Sequence, residues 1–168
     1  MFLFTFSEIF TKFSKELWVM LISMVPVIEL RGAIPVGCAN GLSPVVNLIF
    51  AVIGNMLPVP IILFLFTFVL EWMKKCKIDF IRKPALWIER KLMRGSEKVE
   101  KYKLLGLFIL VAIPLPGTGA WTGAGVAAIL GLKFKHAFPI ILLGVIAAGI
   151  VVTLISYGVL GSLNFLLG

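Results

Sequence analysis

The chain has 168 residues, 60% of them hydrophobic, and a mean hydropathy of +1.08. Soluble domains run at roughly 45–50% apolar, and a chain this short cannot hide such a surplus in a core. Lipid is therefore the natural solvent, and the length suits one membrane domain spanning 1–168. Sixteen Lys and Arg against eight Asp and Glu give a net charge of +8. The excess is concentrated in residues 71–103 and forms no soluble basic face, which argues against a nucleic-acid partner. Two cysteines, Cys38 and Cys76, imply no disulfide framework.

Residues 1–16 read as an interfacial helix. Phe6, Phe10, Phe13 and Leu17 fall at helical spacing, with Glu8, Thr11, Lys12 and Lys15 elsewhere around it. They also suit the first turns of a tilted helix running on to residue 25. The segment lacks the basic start and small-residue cleavage site of a signal peptide.

Four apolar stretches follow, at 17–39, 45–70, 104–132 and 137–167. A spanning helix needs about 20 apolar residues. The second and fourth stretches are long enough, with a kink expected at Pro58 and Pro60 and with Pro139 tolerated near the start of the fourth. The first and third are broken in the middle. The first carries Pro26, Glu29, Arg31, Gly32 and Pro35, and the third carries the run IPLPGTG from Ile113 to Gly119. Central charges cost about 2.5–3.5 kcal/mol each on an insertion scale, and prolines free backbone groups that lipid cannot satisfy. Both stretches therefore read as re-entrant hairpins that enter and leave by one face.

Positive charge fits this topology. With the basic loop 71–103 cytoplasmic, a re-entrant third stretch returns Lys133 and Lys135 to the cytoplasmic side. Within that loop, Pro84 to Met93 reads as a surface helix ended by Gly95, with Trp72 and Trp87 as interfacial anchors.

An internal repeat points the same way. Gly41-Leu42 recurs as Gly131-Leu132 and Gly54 as Gly144, each 90 residues on, while Pro26 and Pro114 are offset by 88. The expected fold is an all-α membrane protein with an inverted repeat. Each half (17–70 and 104–168) is a re-entrant helical hairpin plus one transmembrane helix. An N-terminal interfacial helix and a cytoplasmic basic helical loop complete it.

Glu29 and Arg31 form the leading candidate site, because charges at bilayer depth mark function by default. Residues i and i+2 do not face each other on a regular helix, so the two meet only across an unwound turn or reach separate partners. Arg31 can fork onto phosphate or carboxylate oxygens, and Glu29 can balance it or carry a proton. A purely structural ion pair pinning the hairpin tip is the alternative. The second candidate is the turn at Gly117, Thr118 and Gly119, followed by Thr122. Glycines there can expose backbone N–H groups to an anion, or simply permit tight packing. Asn40, Asn47 and Asn55 read as interhelical hydrogen-bonding groups, with Asn55, near the Pro58/Pro60 break, placed to line a path. His136 reads as a solvated interfacial histidine. No zinc-spaced Cys/His cluster, nucleotide loop or serine–histidine pair is visible, so no metal, cofactor or enzymatic activity is expected.

The run PVIELRGAIP from Pro26 to Pro35, followed by Asn40-Gly41, and the run IPLPGTGAWTG from Ile113 to Gly123 resemble the small multi-drug export protein family of bacteria and archaea. The resemblance covers nearly the whole chain and places it with the DedA, or VTT, superfamily. It implies paired re-entrant hairpins whose tips meet in mid-membrane, and translocation of lipids such as polyprenyl phosphates or phospholipids. Glu29 and Arg31 match the first hairpin motif, and Gly117, Thr118 and Gly119 the second. DedA proteins proper carry an arginine in the second hairpin, and this chain has none.

The preferred expectation is a transporter or scramblase of an amphipathic anion, most naturally a lipid phosphate, in the inner (plasma) membrane. The alternatives are a proton-coupled exporter of small molecules or drugs and a non-transporting scaffold. Membrane lipids, protons as coupling ion and a second copy in a homodimer are the expected partners.

Overall fold

A computed structural model describes residues 14–75, 97–115 and 118–167. The interfacial helix expected over 1–16 and the helix expected within the basic loop fall almost wholly outside them. Among the described residues there are seven helices: α1 (Lys15–Met24), α2 (Glu29–Ala39), α3 (Pro44–Met56), α4 (Pro58–Lys75), α5 (Glu97–Ala112), α6 (Ala120–Ile129) and α7 (Phe134–Leu167). Two segments, Pro44–Phe66 and Phe134–Val159, are long and apolar enough to cross a membrane. Leu57 alone separates α3 from α4, with helical dihedrals (φ −56°, ψ −45°) and its N–H donating to Ile53 O. Ordered helix extends into both ends of the basic loop, to Lys75 and from Glu97.

The break in the first stretch follows from Pro26. A residue before proline is pushed out of the helical region, and Val25 is extended, with ψ 128°. Pro35 and Pro139 lie inside α2 and α7 without ending them. Each removes one intrahelical donor, so the carbonyls of Arg31 and Lys135 lose their usual partner.

The chain forms two compact units, residues 1–57 with 145–168 and residues 58–144. Each contains a helix–bend–helix hairpin, the helix that follows it, and an arm drawn from elsewhere in the sequence.

In the first unit α1 and α2 pack on each other and on α3. The hairpin's open end is tied by Lys15 Nζ, which donates to the Asn40 carbonyl (2.8 Å), a favourable place for a cation at a helix C-terminus. α2 ends in a Schellman turn: Leu42 N–H donates to Gly37 O (3.1 Å) and Gly41 N–H to Cys38 O (3.0 Å), with Gly41 at φ 76°. The arm 145–168 joins this unit through Tyr157, whose hydroxyl donates to Leu42 O (2.6 Å) and accepts from Asn47 Nδ2 (3.0 Å). The arm's Gly149 comes close to Leu48, Val52 and Ile34.

The second unit repeats the construction locally. α6 ends in the same turn, with Leu132 N–H donating to Ala127 O (2.9 Å), Gly131 N–H to Ala128 O (3.0 Å), and Gly131 at φ 64°. Its arm is α4, which packs on α6, with Phe66 beside Gly125 and Phe64 stacked on Phe134 (5.4 Å between ring centroids).

The two glycines 90 residues apart do the same work. A Cβ on Gly54 would fall onto the Met20 backbone, 2.8 Å from its carbonyl carbon. A Cβ on Gly144 would lie 2.8 Å from Val111 Cβ and 3.3 Å from Phe108 O. Met20 and Phe108 are 88 residues apart, the offset already seen between Pro26 and Pro114.

Candidate functional site

The first hairpin tip is built by α1 ending at Met24 and a single turn closed by Glu29 N–H donating to Val25 O (2.9 Å). Glu29 then opens α2 with φ 50°, the one non-glycine residue with positive φ among the described residues. A left-handed conformation costs an L-residue roughly 1–2 kcal/mol. In the second unit the corresponding position, 90 residues on, is Gly119, with φ 154°. Glycine meets no such penalty there. The Glu29 side chain is only 4% exposed. A strained backbone beneath a buried carboxylate persists only where the surroundings hold it, and such outliers cluster at functional sites.

Arg31 lies in the first turn of α2, half-buried, and interacts electrostatically with Glu29. The left-handed residue is the unwound turn that lets side chains two apart come within range. Glu29 is thus enclosed, and Arg31 is the more exposed residue of the pair although its Nε is buried. The turn around them is apolar and exposed: Val27 is 92% exposed, with Val25 and Ile28 also open.

The second tip is different in chemistry. Thr118 Oγ1 lies 3.0 Å from Ile113 O and 2.9 Å from Leu115 O, so its hydroxyl proton serves backbone carbonyls at the end of α5. Gly119 is buried and caps α6, where its carbonyl accepts from Gly123 N–H (2.7 Å). Gly123 faces Val111, Leu107 and Ile141, a packing contact. Thr122 is exposed on α6, and Gly117 lies outside the described residues. No side chain at this tip carries charge.

The asparagines divide by role. Asn40 Nδ2 donates within its own helix to Val36 O (2.7 Å). Asn47 is fully buried and bridges α3 to α2 through Ile34 O (2.7 Å), besides meeting Tyr157. Its Oδ1 lies over Gly37, where a Cβ would collide with it, so the Cα–H of that glycine is its neighbour. Asn55 is fully buried, and neither its Nδ2 nor its Oδ1 has a hydrogen-bond partner. Leaving a buried polar group unpaired costs about 1–3 kcal/mol, so an unsatisfied amide requires an explanation.

Two polar residues of the first unit carry no charge and no motif, so nothing in the sequence singled them out. Ser23, fully buried in the last turn of α1, donates to Ala51 O (2.6 Å). Tyr157 is the other, set among further hydroxyl residues, Thr153 and Ser156, in the last apolar stretch.

Among the described residues no group of His, Cys, Asp and Glu is arranged to hold a metal ion. No curated protein and no solved structure matches the chain. A family model described as "Putative small multi-drug export protein" matches residues 29–151, from the strained glutamate through both Schellman turns and into the second apolar span. With most of its length matched, and with two helices apolar enough to cross a bilayer, the chain is a membrane protein that belongs to this small multi-drug export family.

Proposed function

We propose that the protein is an inner-membrane transporter that moves small amphipathic molecules outward, with Glu29 and Arg31 at the tip of a re-entrant hairpin as its polar site. The observation that carries this reading is the buried, left-handed Glu29 beside Arg31. The family's description as an export protein supports the direction and the cargo class.

Helix length supports the hairpin. α1 has 10 residues and α2 has 11, so each rises about 15–17 Å, half of a hydrocarbon core of roughly 30 Å. Their open ends are joined by Lys15 and Asn40, so the chain enters and leaves at one level. The bend between them is apolar and exposed, whereas turns in water favour Gly, Asn, Asp and Ser. α6, with 10 residues, is equally short. Each repeat then supplies one hairpin and one crossing, which makes the repeats inverted, with residues 71–103 on the cytoplasmic side.

In this scheme Glu29 is the carboxylate that binds a cationic cargo and exchanges it for a proton during the cycle, and Arg31 is its release partner. A second reading is favoured by Arg31 being the more open of the pair: the cargo is an amphipathic anion, a lipid phosphate included, with Arg31 holding its head group.

The test is transport by purified protein in proteoliposomes, with ethidium as the small-molecule probe and a fluorescent phospholipid as the lipid probe. Glu29→Gln and Arg31→Ala are each expected to abolish movement of one probe while the protein remains folded. Loss of ethidium movement supports the exporter, and loss of lipid movement the lipid reading. Unchanged movement of both probes, with only a lowered melting temperature, identifies the pair as structural and overturns both readings.

A further inference from the structure

The two sequence repeats supply an internal control for the polar residues of the first. Both build a helix, a bend, a short second helix, a Schellman turn and a further helix, with close glycine contacts at matching positions. At the places held by Ser23, Ala51 and Asn55 in the first repeat, the second repeat has Val111, Ile141 and Val145, all buried and all apolar. The packing of α1 on α3 therefore does not need a hydroxyl and an amide. The first unit carries them nonetheless, and one of them is unsatisfied.

Asn55 lies one helical turn beyond Ala51 and next to Gly54 on α3. Ala51 O accepts the Ser23 hydroxyl, and Gly54 is pressed on Met20, so this face of α3 is the one that packs on α1. Ser23 sits in the last turn of α1, immediately before the bend that leads to Glu29. A carboxamide with free donors and a free acceptor, one helical turn from the carbonyl that takes the Ser23 hydroxyl, complements a neutral group that both donates and accepts hydrogen bonds. It does not suit a bare ion. Asn55 is 0% exposed, so the seam is shut in this state. A ligand that pairs the amide binds the opened seam better than the closed one, and only such differential binding shifts the equilibrium.

We infer that Ser23 and Asn55 form a polar subsite along the α1–α3 seam that opens to take up a neutral donor–acceptor group, either water or a hydroxyl or amide of the cargo. The cargo source rests on the exporter reading above; the subsite itself does not.

The test is labelling of the full-length protein in membranes by a water-soluble maleimide, in a Cys38→Ala, Cys76→Ser background. Single cysteines are placed at Ser23 and Asn55, and at the corresponding apolar positions Val111 and Val145. Labelling of S23C and N55C at least about tenfold faster than V111C and V145C is expected, because thiolate chemistry needs water at the site. Equal rates at all four positions overturn the subsite. Thermal melting of Asn55→Val, which copies the second repeat, guards against a folding artefact. It should melt at or above wild type, and a clearly lower melting temperature would make the amide a structural partner and sink the proposal. Cellular export of chloramphenicol, an uncharged amide with hydroxyls, then separates the two sources. A fall of about tenfold in Asn55→Val, the worth of one hydrogen bond, assigns the group to the cargo. Unchanged export with rapid labelling of N55C assigns it to water.

Discussion

Glu29 combines three costs at one position: a charge removed from water, a left-handed backbone, and a place at the start of a helix that its counterpart in the second unit gives to glycine. The strain can be isolated by comparing two variants that both lose the charge. Glu29→Gly should melt higher than Glu29→Gln by about 1 kcal/mol of stability, a few degrees, because only glycine relaxes the positive φ. Both should lose transport to the same extent. If the glycine variant is no more stable than the glutamine variant, the residue is not held in a strained conformation. Glu29 and Arg31 could be picked out from the sequence because charge inside an apolar run is conspicuous. The strain could not, since nothing in a string of letters reports a dihedral angle. Ser23 was invisible for a related reason: a serine in an apolar helix is common, and its significance comes from burial against Ala51 and from what replaces it in the second unit.

At the scale of elements, the glycines sort into two kinds. Gly41 is required for its dihedral angle and has open space around it, whereas Gly54 is required for space. Gly41→Ala should therefore cost only about 1 kcal/mol. Gly54→Ala drives a methyl group into the Met20 backbone, which cannot rotate aside, and should cost toward the upper end of the 1–3 kcal/mol typical of overpacking, about 3 kcal/mol. Detergent melts of the two variants decide it, and equal losses would contradict the close α1–α3 approach. The repeated glycines at an offset of 90 were readable before any coordinates, and each has proved to mark a matching turn or a matching contact. The prolines were read less well. Pro26 breaks the helix because Val25 must leave the helical region, but Pro35 is absorbed within α2 at the loss of one hydrogen bond. Sequence alone does not separate a proline that ends a helix from one that a packed helix tolerates.

For the molecule as a whole, the arms were the least legible feature. Periodicity and composition identify helices but not their distant partners. Residues 145–168 join the hairpin at the other end of the chain, and α4 joins the later hairpin. Only contacts such as Tyr157 with Leu42 and Phe66 with Gly125 show this. The proposed re-entrant topology, by contrast, rests on simple lengths, since helices of 10 and 11 residues would reach about halfway through an apolar core. The whole account depends on that hairpin, because only a returning chain leaves Glu29 and Arg31 inside the membrane. The most direct measurement is side-specific labelling of single cysteines by a membrane-impermeant maleimide, placed at Ser14 and Ser43, both exposed at the hairpin's two ends. The account predicts that both are labelled from the outer side of intact cells and that a cysteine at Val27, the tip, is labelled from neither side. Labelling of Ser14→Cys and Ser43→Cys from opposite sides would mean that the chain crosses between them, which contradicts it.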